Sequence, residues 1–166
     1  LPPFEGGNDT GITLGAEQWL KTEQSVSLLT QKLAETSEFT LCVRVATNKL
    51  EQSGPARILS ISKDIGHRNL TLGQQGADLV IRLRTPFTGE NGSDPELVIP
   101  NLFTDTDFHH VVITYEKSIL RVYVDDLKEF YLFALTPEVL LFRYLLPVTT
   151  RFIHPNIIKT CVYGFR

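Results

Sequence analysis

Phe108 to Asp126 reads FHHVVITYEKSILRVYVDD. Val111, Ile113 and Tyr115 alternate with His110, Val112 and Thr114. After Glu116-Lys117-Ser118 the alternation resumes, with Leu120, Val122 and Val124 on one face and Ile119, Arg121 and Tyr123 on the other. Successive strand side chains point to opposite faces, so a period of two rich in β-branched and aromatic residues predicts strands. The short polar break between the two runs predicts an antiparallel hairpin. One face is uniformly apolar and needs a second layer to cover it.

The same pattern recurs outward from this hairpin. Phe39 to Thr47 is a strand with Phe39, Leu41, Val43 and Val45 on one side. Arg57 to Ser62 is another, preceded by a polar loop over Asn48 to Ala56 and followed by a loop holding Asp64 and His67. Residues 69 to 85, NLTLGQQGADLVIRLRT, form a second hairpin with Gln74-Gln75-Gly76-Ala77 as its turn and Thr71, Arg82 and Arg84 on its polar face. Phe87 to Pro95 is the most loop-like segment, and Leu97-Val98-Ile99 a brief strand. Val26 to Thr36 reads as a strand end followed by a short helical turn, with Leu28, Leu29 and Leu33 on one face. Ile12 to Leu14, Glu129 to Leu135 and Lys159 to Arg166 complete the expected strands. Thr136-Pro137-Glu138 is a helix start, with a capping Thr, Pro at the first helical position and an acid in the first turn. Recurring short strands predict a two-sheet sandwich.

The Phe108–Asp126 stretch, the Phe-Thr-Leu entry at Phe39 and the hairpin over 69 to 85 together resemble laminin G-like domains, within the concanavalin A-like lectin/glucanase superfamily. Phe108 stands where that pattern usually has Trp, and Asp126 where it has Gly. The likeness covers roughly residues 12 to 126 and the last eight; residues 130 to 158 match no part of it. It implies an all-β, two-sheet antiparallel jelly-roll sandwich with one or two short helices. Residues 1–11, rich in Pro and Gly, would be a flexible arm before a single domain over 12–166. It also implies a secreted, cell-surface or periplasmic setting. The function implied is non-catalytic recognition of a glycan or an extracellular protein, through rim loops or the concave sheet face. In that fold the first long strand and the last run side by side. A Cys42–Cys161 disulfide, worth up to ~4 kcal/mol in the loop-entropy model, and two buried free thiols both remain open.

The chain has 166 residues, 42% hydrophobic and 21% charged, which suits one soluble core. Its net charge is -3 and no run of Lys or Arg forms a phosphate-binding stripe, which argues against a nucleic-acid partner. The longest apolar stretch, Phe130 to Val148, is interrupted by Pro137, Glu138, Arg143 and Pro147, so no membrane insertion by this segment is expected. It reads as a lid over one end of the sandwich or as a contact for a neighbouring domain or subunit. Without Met and beginning at Leu1, the sequence reads as a processed or excised segment.

Catalysis of the glucanase kind needs two carboxylates across a sugar bond, about 5 Å apart for retention. The Glu-x-Asp-x-Glu strand that supplies them in those relatives does not occur here, nor does a nucleophile elbow or phosphate loop. His109 and His110 are adjacent on a strand and face opposite sides, so we expect a structural role, one imidazole bonding a loop carbonyl. The resemblance implies a calcium ion at the sandwich rim, with Asp64, Asp94, Asp105 and Asp107 as candidate ligands and Asp78 beside them. The competing reading is that these are solvated turn acids. For a sugar, the candidates are Arg82, Arg84, Arg121 and Tyr123 on the hairpin faces opposite the core, with Phe87 and Asn91 in the long loop. Trp19, Phe103 and Tyr144 are further aromatics near loops. A structural or assembly domain using residues 130–148, and a glycan hydrolase or lyase, are the alternatives.

Overall fold

The computed structural model describes residues 19–125, 129–134, 149–153 and 157–163. In chain order the strands are β1 (Trp19–Lys21), β2 (Phe39–Thr47), β3 (Gln52–Ser62), β4 (Arg68–Gly76), β5 (Asp78–Leu83) and β6 (Leu97–Ile99). They continue as β7 (His109–Glu116), β8 (Ile119–Val124), β9 (Glu129–Ala134), β10 (Thr149–Ile153) and β11 (Ile157–Tyr163), and one helix, α1 (Ser27–Thr36), lies between β1 and β2. All pairs are antiparallel. They build a six-stranded sheet in the order β1-β10-β3-β4-β5-β6 and a five-stranded sheet in the order β11-β2-β7-β8-β9. This is the expected two-sheet jelly-roll sandwich with a short helix.

The central hairpin forms as its alternation requires. Val111 lies opposite Val124, Ile113 opposite Val122 and Tyr115 opposite Leu120, and all six are buried. Lys117 and Ser118 make the turn, both with positive φ (51 and 61), the backbone twist that a two-residue hairpin needs. β2 adds Phe39, Leu41, Val43 and Val45 to the same face, and the facing sheet supplies Leu59, Ile61, Leu70, Leu72, Leu79, Ile81 and Leu83. Phe39 stacks on Tyr115 with ring centroids 5.8 Å apart. Burial pushes the Tyr115 hydroxyl's pKa up, and a hydrogen bond with Ser118 offsets part of that rise. β11 runs beside β2, as the family resemblance implied.

Three local expectations change. Helix α1 begins at Ser27 where a strand end was expected, because Leu29, Leu33 and Ala34 pack on the core with Val26 at helical spacing. The Thr30 N–H and Oγ1 both donate to the Val26 carbonyl, at 3.0 and 3.2 Å. Strand β3 starts at Gln52 within the expected polar loop; register shifts between Gln52 and Ala56 let it carry Gly54-Pro55, since a bulge tolerates a residue without an N–H. The turn of the second hairpin is only Gly76-Ala77, because Gln75 still pairs with Asp78. Gln74 is instead buried, and its Nε2 donates to the carbonyls of Lys49 (2.8 Å), Leu50 (3.2 Å) and Gly76 (3.0 Å), fastening the β2–β3 connection.

The expected arm over 1–11, the strand at Ile12 to Leu14, the helix after Thr136 and most of the 130–148 contact segment lie outside the described residues. Among the described residues no helix is long and apolar enough to cross a membrane.

Candidate functional site

The register of the six-stranded sheet decides which polar residues meet on its outer face. Leu70, Leu72, Leu79, Ile81 and Leu83 turn inward, so Asn69, Thr71, Gly73, Val80 and Arg82 turn outward. Ser60 lies opposite Thr71, and Thr71 opposite Arg82. Arg57 lies opposite Gly73, and Gly73 opposite Val80. Arg84 continues the line of β5, its N–H donating to the Asn69 carbonyl at 2.8 Å. Arg84 follows Arg82 on the same side of β5, and the Arg68 guanidinium interacts with those of Arg57 and Arg82, so these three share one region around β4. Its floor is small and polar: the hydroxyls of Ser60 and Thr71 are 3.2 Å apart and buried. Gly73 leaves no room for a side chain, because a Cβ there would meet Pro55 Cβ at 2.8 Å.

Charge is crowded on this face. The Arg68 guanidinium is held below its ordinary pKa, first by burial and then by Arg57 and Arg82, with Asp64 opposing. Arg82 donates to Glu96 through Nε (2.8 Å) and Nη2 (2.7 Å). Both contacts fall on Oε2, so the pair is not the closed two-by-two fork that saturates an Arg–carboxylate couple. Arg84 Nη1 is enclosed and has no hydrogen-bond partner among the described residues. An enclosed cationic N–H of this kind costs free energy until an acceptor reaches it.

Two loops overhang the same end of the sheet. In the β3–β4 loop, Asp64 Oδ1 accepts from the Gly66 N–H (2.7 Å) and pairs with His67 Nδ1 (2.8 Å). His67 Nε2 reaches Glu90 Oε2 of the β5–β6 loop at 3.2 Å, and the Arg68 N–H donates to the Glu90 carbonyl at 3.2 Å. Asp64 is exposed, and its pKa is lowered mainly by His67 and then by the Gly66 N–H. The β5–β6 loop is pinned from within. Thr88 Oγ1 donates to the Leu83 carbonyl (2.6 Å) and accepts from the Thr85 N–H (2.7 Å), and the Phe87 N–H donates to Thr85 Oγ1 (3.1 Å). Phe87 at its tip is 55% exposed, and Ile65 on the neighbouring loop 74%. Asn91 Oδ1 is enclosed without a partner among the described residues.

The sequence candidates separate on this frame. Arg82 and Arg84 share the face just described, with Phe87 and Asn91 at its rim. Arg121 and Tyr123 alternate with inward Leu120, Val122 and Val124, so they lie on the outer face of the five-stranded sheet, across the sandwich. The rim acids also divide. Asp64 and Asp94 are at the end where β3 finishes, whereas Asp105 and Asp107 precede β7 at the end where β3 begins. Asp105 Oδ1 accepts from the Asp107 N–H (2.8 Å) and so acts as a turn acid, whereas Asp78 Oδ1 accepts from the Asn101 N–H (2.8 Å) and ties the start of β5 to the segment after β6. Among the described residues no three His, Cys, Asp or Glu side chains are grouped so as to hold a metal ion.

His109 corrects a detail: its Nδ1 pairs with the Asp125 carboxylate at 2.9 Å rather than with a loop carbonyl, and its Nε2 lies 3.4 Å from Asp105. Asp125 takes the left-handed backbone (φ 47) at the strand end and its Oδ1 accepts from the His110 N–H at 2.9 Å, which brings its carboxylate to the ring. Phe103 is buried and packs edge-on against His109, centroids 6.3 Å apart, so it is a core residue and not a platform. The Trp19 side chain and Tyr144 lie outside the described residues. Cys42 is a free thiol whose pKa is raised by burial. It pairs with Tyr163, while Cys161 pairs with Arg44, leaving the two cysteines on a diagonal. Diagonal neighbours stand about 7–8 Å apart, beyond the usual disulfide reach. Arg57, Arg68, Glu96 and Ser60 belong to the arginine face but were not singled out by the sequence. Alternation about Leu59 and Ile61 signalled Ser60, whereas Arg57 shares their parity and turns outward only through the register shift between Arg57 and Leu59.

The family model described as the concanavalin A-like lectin/glucanases superfamily matches residues 11–127, and the chain belongs to that superfamily. No curated protein matches it. Among solved structures, the CBM40 of the Ruminococcus gnavus IT-sialidase is similar over 92% of this chain and 89% of that one, at 14% identity and a TM-score of 0.67. The same domain bound to α2,3 sialyllactose aligns over 92% and 88%, at 11% identity and 0.64. A leech intramolecular trans-sialidase complexed with 2,7-anhydro-Neu5Ac aligns over 93% of this chain and 25% of that one, at 15% identity and 0.61. At these identities the likeness is one of fold.

Proposed function

We propose that this domain is a non-catalytic carbohydrate-recognition module, acting outside the cytoplasm, that takes an acidic glycan on the outer face of its six-stranded sheet. The observation that carries this reading is the crowding of Arg57, Arg68 and Arg82 around β4, with Arg84 next along β5: burial and then the neighbouring arginines lower the Arg68 pKa, and Arg84 Nη1 is enclosed without an acceptor among the described residues. Guanidinium groups bind carboxylate or sulfate through paired, charge-assisted hydrogen bonds. Beneath the arginines the hydroxyls of Ser60 and Thr71 are buried and bonded to each other, so the layer under the charged groups is itself satisfied. The similarity to domains solved with sialyllactose supports the same reading. Hydrolysis would require two carboxylates flanking a bond; between these arginines stands Glu96, which is committed to Arg82.

The test is a glycan array followed by calorimetry, with and without calcium. Acidic glycans should bind and their neutral counterparts should not. Arg82→Ala with Arg84→Ala should weaken binding by at least about tenfold, since a hydrogen bond to a charged group is worth about 1.5–3 kcal/mol and each 1.4 kcal/mol is tenfold. Equal binding of neutral glycans, or full affinity in the double variant, would sink the reading.

A further inference from the structure

Phe87 is a large aromatic side chain left 55% exposed on a loop that is otherwise tightly built. Thr85 and Thr88 are both buried at its base, and their hydroxyls are 3.0 Å apart. Through Leu83 and Thr85 they fix the backbone on either side of Arg84. The Phe87 N–H is itself tied to Thr85, so the ring is carried on a rigid turn three residues beyond the Arg84 guanidinium. The neighbouring loop adds Ile65, and the contacts of Glu90 with His67 and with the Arg68 N–H join the two loops into one rim. An exposed aromatic held in place by buried hydrogen bonds gains nothing for folding, but has its ordering cost removed in advance for binding.

Resting on the acidic-glycan reading, we propose that Phe87 forms a second subsite. It takes the neutral sugar adjoining the acidic one, whose apolar C–H face lies against the ring while the acidic group sits on the arginines. The partly polar, partly apolar rim matches a pyranose, which has an apolar face and a hydroxyl edge; the enclosed Asn91 Oδ1 is an acceptor for such a hydroxyl. The domain then selects oligosaccharides over the acidic monosaccharide.

The experiment titrates free sialic acid and α2,3-sialyllactose into the wild type and into Phe87→Ala, Phe87→Trp and Arg82→Ala. Wild type should prefer sialyllactose by about tenfold, the scale of one good aromatic contact. Phe87→Ala should erase that preference while leaving affinity for sialic acid unchanged, and Phe87→Trp should keep it. Arg82→Ala should weaken both ligands. No preference in the wild type, or a preference that survives Phe87→Ala, overturns the second subsite while the arginine reading stands. Failure of both probes to bind, or full binding by Arg82→Ala, overturns the arginine reading and the subsite with it.

Discussion

Replacing Gly92 by alanine should be far more damaging than the same change at Gly89, although the two glycines share a loop and a left-handed backbone. Their φ angles are +64 and +69. An L-residue in that conformation costs about 1–2 kcal/mol, which both variants incur. The surroundings differ. A Cβ on Gly92 would stand 2.5 Å from the Leu83 carbonyl carbon and 2.7 Å from the amide nitrogens of Leu83 and Arg84, whereas one on Gly89 would meet nothing within 4 Å. Carbon atoms settle at about 3.5–4.0 Å, and the obstructing atoms are backbone at the end of β5, which no rotamer change can move. Overpacking of this kind adds about 1–3 kcal/mol. Gly92→Ala should therefore lose about 2–5 kcal/mol and Gly89→Ala about 1–2 kcal/mol. Urea unfolding reads this directly, as a shift in midpoint at constant m-value. The clash also presses on the Arg84 N–H, which bonds to Asn69, so Gly92→Ala should bind acidic glycans poorly while Gly89→Ala binds as wild type. Equal destabilisation of the two variants, or wild-type binding by Gly92→Ala, would refute the reasoning.

Three further outcomes follow from particular contacts. Because Cys42 is a free thiol, adding reductant should leave the melting temperature unchanged; a drop of several degrees would reveal a bridge worth about 4 kcal/mol. Thr71→Val should cost about 1–3 kcal/mol by leaving the buried Ser60 hydroxyl without its partner, and adding Ser60→Ala should restore most of it; a strictly additive double variant would disprove the coupling. The Asp64 pKa is depressed in the folded state by His67 and the Gly66 N–H. Its contribution is thus present above the unfolded value near 3.8 and lost as pH falls through the folded one. Thermal melts of wild type and Asp64→Asn should differ at neutral pH, begin to approach each other near pH 3.8, and converge only below the lower folded-state value. A gap that persisted at the acid end would contradict this assignment.

The sequence carried the fold well because burial on one face leaves a period of two. That pattern located β2, β5, β7 and β8, along with the inward set from Phe39 to Val124. It failed where a strand carries an irregularity. Gly54-Pro55 reads as a loop, and only the partner strand β4 makes it a bulged continuation of β3. The site was half legible. Alternation correctly turned Arg82 and Arg121 away from the core, but which sheet each strand joins is a long-range property, so residues on opposite sides of the sandwich looked like one group. Arg57 and Arg68 were silent for the same reason: Arg68 meets Arg57 and Arg82 only through the β3-β4-β5 pairing order. His109 escaped because its partner, Asp125, is the residue that ends the next strand.

The most direct test of the central claim is a two-dimensional amide NMR titration with α2,3-sialyllactose. Perturbed amides confined to Arg57, Asn69, Thr71, Arg82, Arg84 and the loop through Phe87 are the predicted result. Perturbations centred on Arg121 and Tyr123 across the sandwich, or none at saturating ligand, would contradict it.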